Sequence, residues 1–209
     1  MSSISADDTH NEPDTGRVIQ PGWVRVLHWI NAIAMVIMIM SGWQIYNASP
    51  LFDFTFSRSI TLGGWLGGGI MWHLAGMWLL VINGLLYVAL GLVTGRFRRK
   101  LLPISASGVI GDTRAALTGK LSHADLSIYN QVQKLLYIGI LAVGVLVVLS
   151  GLAIWKPVQL QYLTALFGGY DTARYVHFVM MASIVGFLVI HVALALLVPK
   201  SLRAMIIGR

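Results

Sequence analysis

The sequence predicts an all-α fold: an integral membrane bundle of four helices with both termini cytoplasmic. Three observations carry this expectation. Of 209 residues, 56% are hydrophobic and only 11% are charged, with a mean hydropathy of +0.74, a balance found in membrane chains rather than water-soluble domains. The apolar residues gather into four runs, each able to cross a hydrocarbon core of about 30 Å as a helix. The basic residues are also unevenly spread. Twelve of the fifteen Lys and Arg fall at the termini or between the second and third runs, and only Arg58, Lys156 and Arg174 fall opposite. Cytoplasmic segments retain Lys and Arg, so the bias assigns the termini to the cytoplasm.

Residues 1–21 are polar and include Asp7, Asp8, Glu12 and Asp14. They lack a basic stretch leading directly into an apolar core with a small-residue cleavage site, so they read as a mobile cytoplasmic tail rather than a signal peptide. Residues 22–209 read as a single transmembrane domain. The first span runs from about Trp23 to Trp43, with Trp23, Trp29, Trp43 and Tyr46 towards its ends, as amphipathic rings sit at headgroup level. The apolar run Leu62 to Val93 is too long for one upright helix. The second span is placed at Ile70–Val93, with the glycine-rich residues 63–69 as a flexible entrance. The third is expected at Leu135–Trp155 and the fourth at Val176–Val198. Between them Leu160, Leu163 and Phe167 recur at helical spacing, which suggests a short surface helix.

With no cysteine in the chain, disulfides, thiolate zinc sites, iron–sulfur clusters and thioether-linked haem are all excluded. The net charge of +7 follows from cytoplasmic retention of basic residues, which removes the main argument for a nucleic-acid partner; the expected surroundings are membrane lipid. Four of the six histidines, His28, His73, His177 and His191, lie in predicted spans, where ionisable groups are costly and face a bundle interior. His177 and His191 are fourteen positions apart. They therefore share one helix face, about 21 Å apart at roughly 1.5 Å per residue, too far to share one ion.

Topology sets the depths. The first helix runs inside to outside, and the second and fourth run back. His28 and His191 then lie near the cytoplasmic face, and His73 and His177 near the outer face. Matched pairs on facing helices are what six-coordinate haem iron requires. Any one of these histidines alone could instead be a hydrogen-bonded residue bridging helices. Arg25 inside and Arg174 outside are available to haem propionates, or serve as interfacial anchors. Gly42, Gly76, Gly84, Gly151 and Gly186 are candidates for close helix approach. A short internal echo also runs through the chain: Ser41-Gly42 matches Ser150-Gly151, and fourteen positions after His73 and His177 begin Tyr87-Val-Ala-Leu and His191-Val-Ala-Leu. Two related hairpins would account for it, and so would chance in apolar sequence. His10 and His123 read as solvated.

The residues Arg25-Val-Leu-His28-Trp29, Trp72-His73-Leu-Ala-Gly76 and the His177/His191 pair together resemble the prokaryotic cytochrome b561 family, over about Gly22 to the C-terminus. That family includes the b-type subunits of nickel–iron hydrogenases, formate dehydrogenase and thiosulfate reductase. The resemblance implies two haems b, His28 and His191 holding the cytoplasmic one and His73 and His177 the outer one. Tyr129-Asn130-Gln-Val-Gln133-Lys134 is similar to the family's quinone-proximal segment. Asn130 and Gln133 would supply donors to a quinone carbonyl, though helix capping and snorkelling by Lys134 account for the same residues.

Nothing in the sequence supplies a substrate-level catalytic constellation. The expected function is electron relay in the bacterial inner membrane between the quinone pool and a periplasmic redox subunit of hydrogenase or molybdopterin type. The alternatives are a transporter moving protons or metal ions on its membrane histidines, and a stand-alone transmembrane haem reductase.

Overall fold

The computed structural model describes residues 20–101, 105–117, 131–197 and 199–208. Asn130, His10, His123 and all but the last two residues of the expected tail lie outside them. Among the described residues there is no strand. Four helices are long and apolar enough to cross a membrane: α1 Gly22–Ala48, α2 Leu66–Val93, α5 Gln131–Trp155 and α7 Tyr170–Leu197. Between and after them lie α3 Arg96–Leu101, α4 Ala106–Leu117, α6 Gln161–Leu166 and α8 Pro199–Ile207. The chain is a multi-pass membrane protein.

Side chains such as Val36, Leu85, Val145 and Val189 stand exposed on the long helices. In water this would be a large apolar penalty; against lipid tails it is none. Small or polar residues make up much of what is buried, Ala34, Ser41, Asn83, Ser150, Ala153 and Ala173 among them, beside Val24, Leu27, Ile39, Tyr46 and Ile184. Helices in lipid associate by close packing of small residues and by interhelical hydrogen bonds rather than by hydrophobic burial. The bundle is built as two antiparallel hairpins, α1 with α2 and α5 with α7.

The second span begins earlier than the sequence suggests, and residues 67–69 are helix rather than flexible entrance. The turn falls at Gly63 and Gly64, whose φ angles of +113° and +72° suit glycine alone. Gly67 and Gly68 lie under the Trp65 ring, and a Cβ on Gly69 would stand 2.9 Å from Cγ of Gln44 on α1. These glycines let the hairpin close. The α1–α2 loop is pinned as well: Asn47 Nδ2 donates to the Phe56 carbonyl and Phe56 N–H to Asn47 Oδ1, both at 2.8 Å. Phe54 and Phe56 of this loop pack on Tyr46, Phe52 stacks on Phe54, and Phe52 and Phe54 both meet Phe178 of α7, at ring separations of 5.3–6.3 Å.

The expected surface helix exists as α6. Its stripe of Leu160, Leu163 and Phe167 is half-buried, and Thr164 Oγ1 donates to the Ala153 carbonyl of α5 at 3.2 Å. At the opposite end of the bundle α8 folds back onto α1. Arg25 Nη1 donates to the Ile206 carbonyl at 2.9 Å and Trp29 Nε1 to that of Met205 at 3.2 Å. The described ends of the chain therefore meet at one end of the bundle.

Candidate functional site

The four membrane histidines come together as two pairs from three helices. His28 of α1 faces His191 of α7 with ring centroids 6.0 Å apart, and His73 of α2 faces His177 of α7 with centroids 6.3 Å apart. The first pair lies at the end where α8 meets the start of α1, and the second lies towards the α1–α2 loop. No pair lies within one hairpin. Each imidazole reaches across from one hairpin to the other, where the helices themselves are well separated.

A metal ion bound between two such rings would set their separation. With metal–imidazole nitrogen bonds of about 2.0–2.1 Å, and a ring centroid roughly 1.1 Å behind each ring atom, two opposed rings have centroids about 6.2–6.4 Å apart. Both pairs meet this value within about 0.3 Å. Among the described residues no three His, Cys, Asp or Glu side chains converge on a common point. Among the described residues each level thus offers two imidazoles and no chelate, a donor set that fits haem b.

The ring surroundings differ between levels. Ser41 Oγ lies 3.0 Å from His73 Nδ1, and Ser150 Oγ lies 3.1 Å from His177 Nδ1. The Val147 carbonyl is 3.0 Å from the same nitrogen of His177. A Cβ on Gly42 would stand 3.3 Å from His73 Cε1, and one on Gly151 would stand 3.1 Å from His177 Cε1. Each hairpin therefore holds its imidazole in a Ser-Gly notch on the neighbouring helix. The other pair rests on ring contacts: Phe187 stacks on His191 at 5.7 Å and Trp29 meets His28 edge-on at 5.5 Å.

Other expected site residues fall as follows. Arg25 donates to the Ile206 carbonyl near the end of α8, while its Nε is buried without a partner. Arg174 Nη2 donates to the Ser49 carbonyl at the end of α1 at 2.6 Å. Both guanidinium groups sit at helix C-termini, where a cation is favoured. Gln133 is exposed on the first turn of α5. Of the glycines, Gly76 meets Ile37 and Met38 closely, whereas Gly84 and Gly186 meet no side chain within 4 Å. Sequence reading passed over Asn83. It is buried on α2 and donates through Nδ2 to the Leu27 carbonyl, next to His28, at 2.9 Å, while its Oδ1 has no partner. An isolated amide within a predicted span was the available signal.

Facing imidazoles contributed by different membrane helices are the mark of a class, the membrane cytochromes that carry electrons on haem b. Within that class the chain belongs to the prokaryotic cytochrome b561 family, whose model matches residues 19–208. It is similar to the putative protein-methionine-sulfoxide reductase subunit YedZ1 of Azospira oryzae, 50% identical over 190 residues, which cover 91% of this chain and 96% of the relative. The chain is a membrane haem b electron-transfer subunit.

Proposed function

We propose that the chain carries two haems b, one held by His28 and His191 and the other by His73 and His177, and that it passes electrons between quinol and an outward-facing oxidoreductase. The observation that carries this reading is the presence of two imidazole pairs, at 6.0 and 6.3 Å, at separate levels of one bundle. Haem, when bound, supplies one-electron chemistry at each level. The protein supplies ligation, spacing and a low-dielectric surround. Arg25, through its unbonded Nε, and Arg174 are proposed propionate partners at the two ends.

The positive-inside bias supports cytoplasmic termini in a bacterial inner membrane, which makes the His73/His177 level the outer one. Gln133, on the first turn of α5, and Asn130, which precedes that helix in the sequence, are the proposed donors to a quinone headgroup near the inner haem. The partner is read from the similar protein, whose name makes it a subunit of a protein-methionine-sulfoxide reductase. Among outward-facing partners, hydrogenase- or molybdopterin-type, this favours one that reduces methionine sulfoxide. That reduction consumes electrons, so the proposed flow runs from quinol through the inner level to the outer.

Haem quantification on the purified chain, with a reduced-minus-oxidised spectrum, tests the core of the proposal. Two haems b per chain are expected. A colourless protein from haem-replete cells would remove the relay and leave the transporter reading. Haem that reduces with quinol but does not reoxidise with a methionine-sulfoxide-reducing subunit would overturn the partner assignment alone.

A further inference from the structure

The hydrogen-bond partners at the outer level fix which nitrogen carries the proton. The Val147 carbonyl faces His177 Nδ1, and a carbonyl can only accept, so Nδ1 is the protonated nitrogen. Ser150 Oγ gives its own hydrogen to the Leu146 carbonyl at 2.7 Å, a back-bond common for serine in membrane helices. It is therefore free to accept from His177 Nδ1. The other hairpin repeats the arrangement: Ser41 Oγ donates to the Ile37 carbonyl at 2.5 Å and meets His73 Nδ1 at 3.0 Å. Both serines are fully buried, at 0% exposure, so water does not compete for these bonds. The following glycine lets the ring come close enough. Among the described residues, hydrogen bonds to imidazole nitrogens are confined to this level.

We propose that Ser41-Gly42 and Ser150-Gly151 are matched positioning elements, which hold the outer imidazoles as Nδ1–H tautomers and draw electron density onto Nε2. Nε2 is left as the ligating nitrogen. Hydrogen-bond donation from the other ring nitrogen raises the basicity of a ligating histidine and favours the more oxidised metal. The serines thus lower the potential of the outer haem relative to the same site without them; among the described residues the inner pair has no such bond. The inference rests on the reading that His73 and His177 ligate the outer haem.

Redox titration of the purified holoprotein, followed in the haem absorption bands, tests it in wild type, Ser41→Ala, Ser150→Ala and the double variant. The outer haem is identified as the one lost in His177→Ala. The double variant is expected to keep two haems and to raise the outer midpoint by roughly a tenfold change in equilibrium constant, about 59 mV for one electron. The inner midpoint should stay in place as an internal reference, and Ser→Thr at both positions should restore the wild-type value. Loss of the outer haem from the double variant, regained with threonine, supports the same conclusion. Two haems with both midpoints unmoved would overturn the role of the serines while leaving the ligands as assigned. Loss that threonine does not mend would also overturn it. Retention of two haems by His177→Ala would instead overturn the ligand reading beneath it.

Discussion

At Gly151 a Cβ would stand 3.1 Å from Cε1 of His177, while at Gly186, on the same helix as that histidine, it would meet nothing within 4 Å. The same substitution should therefore have opposite results at the two sites. Gly151→Ala must push the imidazole by a few tenths of an ångström, and haem content should fall at that level only. Gly186→Ala should leave both haems in place and stabilise α7 by about 0.5–1 kcal/mol, the usual gain in a helix interior. Haem-to-protein ratios and thermal unfolding in detergent separate the two outcomes. The ligands themselves give a sharper version: His191→Ala is expected to leave one haem, that of the His73 level, and His73→Ala to leave the other. A ratio of two in both variants would refute the assignment.

Among elements, the long helices were readable from hydropathy because each needs its own uninterrupted apolar run. The histidine pairs followed from chain direction and depth alone. Of the elements shorter than a span, only α6 was anticipated. Helices α3, α4 and α8 lie where charge and short length hide any periodicity, and the start of α2 was set by glycines whose use in close packing, rather than in flexibility, depends on Trp65 and Gln44 being nearby. Arg25 shows the same limit: its bond to the Ile206 carbonyl spans 181 residues, and no local pattern announces it. This contact makes a prediction for α8. Arg25→Gln removes a cation from a helix C-terminus, worth roughly 0.3–1 kcal/mol, so amide exchange should rise over residues 199–208 with little change in α1. The recurrence of the Ser-Gly notch in both hairpins adds weight to an origin by duplication. A buried amide gives a prediction of small size. Asn83→Leu loses one interhelical bond, about 0.6 kcal/mol in a membrane, and also removes an oxygen that has no partner. The net change in thermal stability should stay within about 1 kcal/mol.

For the whole molecule, the division into hairpins matters more than any single contact. Each histidine pair joins the α1/α2 hairpin to the α5/α7 hairpin, so a haem bound at each level, as proposed, would also clamp the two halves together. Metal-mediated bridging of this kind couples binding to folding, and protein that cannot load haem should be the less stable form. It should unfold at a lower temperature and expose protease sites in both hairpins together. In the proposed relay the two levels act in series. In vesicles with quinol as donor, His73→Ala should leave the inner haem reducible, because its ligands His28 and His191 are untouched, yet electron delivery to an outward-facing acceptor should fall to background. His28→Ala should abolish the quinol-dependent step while dithionite still reduces the outer haem. The two variants therefore fail at different points along one path. Unimpaired delivery in either would mean that electrons cross by a route that bypasses one histidine pair, and a series relay through this bundle could not stand.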